Sequence, residues 1–302
     1  MKAAQFSQFG GPEVLEIVDL PDPHPRQGQV RLVVHAVGIS ASDSKIRSGA
    51  LSFGAGLPQT TGRDIAGVVD EIGEGVTDVA VGDRVYGVSD DGAGAAEYAL
   101  VTIRELIPPA LGFADAAALP AAVETATRTL DQLAVADGIT LLLNGATGGI
   151  GSTAVQLAVA RGARVIGIAS AANHNYLLML GAEPVTYGAT MVEQVRALAP
   201  NGVDVALDVA GSGVLPELIE LAGDAQNVMT IADFEGPDKY GVRFSNGFTD
   251  GHGYRGLATV AKLIEAGKFW LPVDRTFPLA EIAQAHRVSE VGHVRGRLVV
   301  IV

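Results

Sequence analysis

Gly145, Gly148, Gly149 and Gly151 crowd one short stretch, "GATGGIG", with Ala146, Thr147 and Ile150 between them. The apolar run "ITLLLN" (139–144) leads in, and "GIGSTAVQLAVARG" (149–162) leads out. A strand that ends in such a turn and opens a helix presents free backbone N–H groups and the positive end of the helix dipole. That is chemistry for holding an anion, and a Cβ at the closest approach would push the anion away. The competing reading is a tight turn with no ligand. The surrounding strand–turn–helix–strand unit has the length of a dinucleotide-binding unit, which favours a dinucleotide pyrophosphate.

The end of the next strand, "RVIGIAS", bears on which dinucleotide. An NAD site usually carries Asp or Glu about 20 residues into the motif, accepting from the ribose hydroxyls. Ser170 stands there instead, in "IASAANHNY", and no acid occurs between Gly151 and Glu183. Nothing then repels a 2′-phosphate, and Ser170, Asn173 and His174 are able to donate to it. "IASAANHNY" holds no Arg or Lys, so the positive case is incomplete. His174 is otherwise a surface helix residue. The expected cofactor is NADPH rather than NADH.

The 302 residues suggest two domains, with one large domain as the alternative, and 48% apolar residues give ample core. The net charge of −13 disfavours nucleic acid and anionic membranes as partners. No cysteine is present, so disulfides, thiol catalysis and thiolate metal sites are excluded. The histidines, His24, His35, His174, His252, His286 and His293, show no metal spacing, so no metal is expected. The amino terminus has no apolar core of signal-peptide length, and no uncharged apolar stretch reaches the ~18 residues of a membrane span. The expectation is a soluble, cytoplasmic protein.

The first 110 residues read as short strands punctuated by Gly and Pro: "KAAQF", "VLEIVDL", "QVRLVVHAVGI", "IAGVVDEIG", "DRVYGV" and "EYALV". Asp43, after "ISAS", is expected to cap a helix beginning "SKIR". Residues 112–135 are Ala-rich and helical, interrupted at Pro120. Strands and helices then alternate: "ITLLLN", "RVIGIAS", "PVTY", "VDVALDV" and "NVMTIAD" against helical segments such as "NHNYLLMLG", "MVEQVRALA" and "GVLPELIELAG". That alternation predicts a parallel sheet with helical crossovers. The tail adds helices at "KLIEAG" and "LAEIAQAHRVSE" and a last strand, "RLVVIV".

Taken together, "MKAAQFSQFGGPEVLEIVDLPDP", "VGISASDSKIRSG", "GRDIAGVV", "VGDRVYG", "AALPAAVETA", "NGATGGIG", "IASAANHNYLLMLGAEPVTY" and "GHVRGRLVV" resemble the medium-chain dehydrogenase/reductase superfamily, in its zinc-free, quinone-oxidoreductase-like branch. The resemblance covers essentially the whole chain. It implies an α/β fold: a Rossmann doubly wound parallel sheet (116–269) plus a GroES-like β-barrel catalytic domain (1–115, completed by 270–302). It implies an active cleft between the two, and a homodimer. Tyr187 matches a tyrosine that approaches the adenosine phosphate in NADPH-using relatives; packing on the sheet is the equal alternative. Arg295 is a weaker phosphate candidate. Zinc relatives use a Cys and a Gly-His-Glu segment where this chain has Ser40 and Gly62-Arg63-Asp64, so a catalytic zinc is not expected.

By family position Ser40, Lys45 and Arg63 lie near the cleft, with Thr125 close to the nicotinamide. Lys45 is a possible donor to a substrate oxygen, against a solvated lysine. Arg63 is a possible substrate contact, against an ion pair with Asp64. Glu124 would be an acid with a raised pKa if buried near the nicotinamide. Without zinc, a conjugated carbonyl is an easier hydride acceptor than a simple ketone. The first reading is therefore a zinc-independent NADPH-dependent reductase of a small enone or enal. The second is an NADPH:quinone oxidoreductase. The third is a cofactor-binding protein with little turnover, to which "LAGDAQNV" speaks: it lacks the relatives' Gly-Gly pair, and Asp224-Ala225 is expected to alter a loop near the nicotinamide ribose.

Overall fold

The structure, a computed structural model, describes residues 1–51, 56–247 and 252–302. The chain divides into two compact units, Met1–Ala121 with Leu257–Val302, and Ala122–Gly256.

The first unit opens with β1 (Lys2–Phe6), β2 (Glu16–Asp19), β3 (Val30–Ile39), α1 (Ala41–Arg47), β4 (Gln59–Thr60), β5 (Asp64–Ile72), β6 (Arg84–Ser89), β7 (Tyr98–Leu106) and α2 (Phe113–Ala117). Helix α3 (Pro120–Gln132) carries the chain into the second unit. There follow β8 (Thr140–Asn144), α4 (Gly149–Ala160), β9 (Arg164–Ala169), α5 (His174–Leu180), β10 (Glu183–Thr186), α6 (Met191–Leu198), β11 (Val205–Asp208), α7 (Leu215–Ala222), β12 (Val228–Thr230), α8 (Gly236–Tyr240) and β13 (Arg243–Phe244). Helix α9 (Gly256–Glu265) leads back, and β14 (Val273–Pro278), α10 (Ile282–Val291) and β15 (Arg297–Ile301) complete the first unit. The unit boundaries fall within α3 and at the start of α9, whereas the sequence reading set them at 115/116 and 269/270.

In the first unit β3 organises the sheet. It pairs with β5 along its length, with β7 through Val30–Val33, and with β15 through Ala36–Ile39, all antiparallel. Because β7 also pairs with β6, and β6 with β5, the strands β3-β5-β6-β7 close on themselves. This is the GroES-like barrel. Val30, Leu32, Val34 and Val37 of β3 meet Ile65 and Val69 of β5, Val101 of β7 and Leu298 and Val300 of β15 in one core. Closure leaves few free strand edges. The sheet also takes in β15, whose Leu298 pairs with Ile39 from the far end of the chain, which periodicity along the sequence does not announce.

The second unit holds a six-stranded sheet in the order β10-β9-β8-β11-β12-β13, every described pairing parallel. The chain builds outward from β8 to β10, then returns to the other side of β8 for β11 to β13. This is the doubly wound Rossmann arrangement, and the switch point lies between β8 and β11. Its strands are covered on both faces, hence the unbroken apolar runs "LLL" and "VIGI". Helix α4 is buried from Gly151 to Ala158, so its Ala- and Val-rich sequence has no polar stripe. Among the described residues no helix is long and apolar enough to cross a membrane.

Candidate functional site

The glycine turn joins β8 to α4, and Gly145, Gly148 and Gly151 are glycines for different reasons. Gly145 has φ +81°, a left-handed conformation, and a Cβ there would meet Ala210 Cβ and Val209 Cγ2 at 3.0 Å. At Gly151 a Cβ would stand 2.1 Å from the Gly145 carbonyl oxygen, so this glycine lets α4 pack on the strand end. Gly148 differs: φ is −74°, and a Cβ would meet only the Gly145 carbonyl oxygen at 4.0 Å. Neither backbone nor packing requires glycine there, while an anion at the helix end would. Helix α4 starts without a side-chain cap and has no acid in its first turn. The residues present thus fit a pyrophosphate: a cradle without side chains, under an uncapped helix of three turns.

Ser170 follows β9, and its hydroxyl accepts from Asn173 Nδ2 at 3.1 Å. His174 begins α5, with Nε2 3.1 Å from the Thr186 hydroxyl at the end of β10. Tyr187 comes next along the chain and is 59% exposed. The side chain is therefore not packed on the sheet. Ser170, Asn173, His174, Thr186 and Tyr187 thus gather at the carboxyl ends of β9 and β10, the same sheet edge as the glycine turn. No carboxylate belongs to this group. Arg295 is exposed between α10 and β15 and belongs to the other unit.

At the switch point a buried carboxylate joins three strand ends. Asp208, ending β11, accepts from Asn144 Nδ2 at 2.8 Å and from the Thr230 hydroxyl at 2.8 Å. It also accepts the backbone N–H groups of Ala210 (3.1 Å) and Gly211 (3.0 Å). Sequence reading missed this hub. Its only signal was an Asp at a strand end before a Gly-rich loop, "LDVAGSG".

Glu124 and Thr125 lie on α3. Glu124 is buried, but it is not a lone acid: Arg128 donates Nε to Oε1 at 2.7 Å, and the Gly253 N–H donates at 3.1 Å. Arg128 also donates to the Ser245 hydroxyl. Glu124 is thus buried as half of an ion pair and not as the isolated acid considered from the sequence. Thr125 donates its hydroxyl to Glu124 Oε2 at 3.0 Å.

In the first unit Ser40 is the N-cap of α1, and Asp43 is the third helical residue of its capping box, not the cap itself. Asp43 Oδ2 accepts the Ser40 N–H at 2.7 Å and the Ser40 hydroxyl at 2.6 Å. The single hydroxyl proton of Ser40 is thus committed to Asp43, as that of Thr125 is to Glu124. Lys45 lies in the last turn of α1. Arg63 precedes β5 beside Asp64, yet Asp64 pairs with Arg297 of β15, both buried. Asp64 also accepts the Ala121 N–H at 3.0 Å. Burial pushes the Asp64 carboxyl up to about 7, against the opposing pull of Arg297 and Arg63 and with a further push from Asp43. The ion pair expected of Arg63 is in the main Arg297's. Among the described residues no three His, Asp or Glu side chains form a group that could hold a metal ion.

Asp224 corrects another expectation. Its side chain accepts the Gln226 N–H at 2.8 Å and caps a short 3₁₀ turn ahead of β12. All strands of this sheet run parallel, so a loop preceding β12 lies at the amino edge, opposite the glycine turn. It lies away from the carboxyl edge, where ligands of doubly wound sheets bind.

Comparison with known proteins agrees with this architecture. The alcohol dehydrogenase GroES-like domain family matches residues 26–113, and the zinc-binding dehydrogenase family matches 180–300. The quinone oxidoreductase of Sus scrofa is 32% identical over 98% of this chain and 95% of its own. The NADPH-dependent alkenal/one oxidoreductase of Arabidopsis thaliana is 30% identical over 99% and 79%. The solved quinone oxidoreductase of Coxiella burnetii superposes with a TM-score of 0.83 at 32% identity, covering 100% of this chain and 99% of that one. The chain belongs to the medium-chain dehydrogenase/reductase superfamily, in its zinc-free, quinone-oxidoreductase-like branch. It is an oxidoreductase.

Proposed function

We propose that this protein is an NADPH-dependent oxidoreductase that reduces a small conjugated carbonyl compound, an enone or enal. The observation that carries the proposal is the acid-free group at the ends of β9 and β10 beside the side-chain-free Gly148 turn. The first leaves room for a 2′-phosphate and the second for a pyrophosphate. A relative named for NADPH-dependent alkenal/one reduction supports the same reading.

In this reading the bound coenzyme supplies the hydride. The chain does the holding. Backbone N–H groups of Gly148, Gly149 and Ile150, with Gly145, Ala146 and Thr147 shaping the turn, hold the pyrophosphate. Ser170, Asn173, His174 and Tyr187 hold the adenosine phosphate. A conjugated acceptor spreads charge onto its oxygen, so a hydrogen-bond donor suffices there and no metal is needed. Ser40 and Thr125 have already committed their protons to carboxylates. We therefore give the donor role to Lys45 of the first unit, with Arg63 of that unit as the second cationic candidate, and leave Ser40 and Thr125 as structural residues within their own units.

Quinone reduction is the second reading, and the names of the Sus scrofa and Coxiella burnetii relatives favour it. One experiment separates the two. NADPH and NADH are titrated by nicotinamide fluorescence, and a 2-alkenal, an enone and a quinone panel are then added. Faster NADPH oxidation by the enals and enones supports the first reading, and preference for quinones the second. Tight binding with no oxidation by either class would shift weight to a binding role.

A further inference from the structure

The Asp208 carboxylate holds the loop after β11 directly and the loop after β12 through Thr230. Oδ1 holds Asn144 of β8 and the N–H groups of Ala210 and Gly211, which open the loop after β11. Oδ2 accepts from the Thr230 hydroxyl at the end of β12. Thr230 Oγ1 in turn accepts the N–H groups of Ala232 (3.1 Å) and Asp233 (3.0 Å), which open the loop after β12. Both lone pairs of that hydroxyl are then occupied, so its hydrogen must point at Asp208. Asn144 Nδ2 spends its second hydrogen on the Ser212 hydroxyl at 3.0 Å, further along the β11 loop. That loop supports the glycine turn, because Val209 and Ala210 pack against Gly145.

A ligand in a doubly wound sheet sits beyond the carboxyl ends of the strands at the switch point. The adenosine half falls to β9 and β10. The other half falls to the loops after β11 and β12, which Asp208 fixes. We infer that Asp208 is a positioning residue for the nicotinamide half of the coenzyme crevice, acting through the loops at Ala210–Ser212 and Ala232–Asp233. The inference rests on the dinucleotide reading above.

Asp208→Asn tests it. The amide nitrogen of the variant would face a Thr230 oxygen with no lone pair left, so the β12 loop loses its anchor while shape is kept. The measurement is calorimetric binding of NADPH and of its adenosine half, 2′,5′-ADP, to wild type and variant. NADPH affinity is expected to fall about tenfold while 2′,5′-ADP affinity stays within about twofold, the size of one lost buried hydrogen bond felt on one side only. Equal loss for both ligands, or no loss for either in a folded variant, overturns the inference. Should Asp208→Asn fail to fold, Thr230→Val and the exposed Ser212→Ala carry the same comparison, with the same split expected and the same equal loss overturning it. A wild type that binds NADH alone overturns the NADPH reading but not this one, and NADH against ADP then replaces the pair. A wild type that binds no dinucleotide overturns both.

Discussion

Arg47 of α1 donates through Nη1 to Nδ1 of His286 on α10 at 3.1 Å, with both side chains buried. An arginine only donates, so Nδ1 must accept and the ring proton must sit on Nε2, which is buried without a hydrogen-bond partner among the described residues. The neutral ring is therefore built into the packing of α1 on α10. Arg47 also donates to Glu290 and to the Gly10 carbonyl, so one guanidinium ties a helix, a loop and α10 together.

The titration of His286 follows from this packing. Burial lowers its pKa below the ordinary imidazole value, with Arg47 lowering it further and Asp43 and Glu290 pulling the other way. The unfolded chain takes up a proton near pH 6.5 and the folded one does not. The contribution to stability is therefore present above pH 6.5 and lost as pH falls from there toward the folded value. Melting temperature followed from pH 8 to pH 5 should drop less steeply on the acid side for His286→Gln than for wild type. Parallel curves would mean the ring is not the responsible group.

The buried pair Arg297–Asp64 titrates with the opposite sign. Burial raises the Asp64 pKa, so its contribution to stability is full below the unfolded carboxyl value and declines as pH rises through about 7. Arg297→Met removes the counter-charge and should cost about 3–5 kcal/mol once Asp64 is ionised. Denaturant melts at pH 5 and pH 8 check this. The penalty should be larger at pH 8, and a penalty independent of pH would contradict the assignment.

These clusters show what the sequence could and could not yield. The glycine turn, the alternating second unit and the acid-free end of β9 were legible, because each is local: apolar period, turn residue and helix start follow one another along the chain. The start of α1 was read three residues late, with Asp43 as the cap, where Ser40 is the N-cap and Asp43 its capping-box partner. The register of β15 on β3 and the pairing of Arg297 with Asp64 were hidden, since those contacts span more than two hundred residues. Asp208, Asn144 and Thr230 come from three strands and share no spacing. Asp224 was placed correctly before β12, but which edge of the sheet that loop occupies follows only from the parallel direction of the strands.

The contrast between Gly148 and Gly151 separates binding from folding. A Cβ at Gly148 enters open space, so Gly148→Ala should keep stability within about 0.5 kcal/mol of wild type. The same Cβ intrudes where a pyrophosphate would lie, so dinucleotide affinity should fall about tenfold or more. Gly151→Ala puts its Cβ 2.1 Å from a backbone oxygen and should cost about 1–3 kcal/mol of stability. Thermal melts and dinucleotide titrations of both variants give the answer. Undiminished binding by folded Gly148→Ala would place the pyrophosphate elsewhere.

Ser170 is where coenzyme choice can be reversed. Its hydroxyl, with Asn173 and His174, forms a group at the end of β9 that holds no carboxylate. Ser170→Asp puts a negative charge there, which repels a 2′-phosphate and accepts from ribose hydroxyls. The side chain lies at a loop, only partly buried, so the fold should tolerate the change. The ratio of NADPH to NADH dissociation constants should shift toward NADH by about tenfold or more, or about 1.4 kcal/mol in differential binding. Because the effect is electrostatic and near the surface, raising ionic strength should shrink it. A ratio that does not move, in a variant that still binds dinucleotide, would mean that the adenosine phosphate is held by residues other than those at the end of β9.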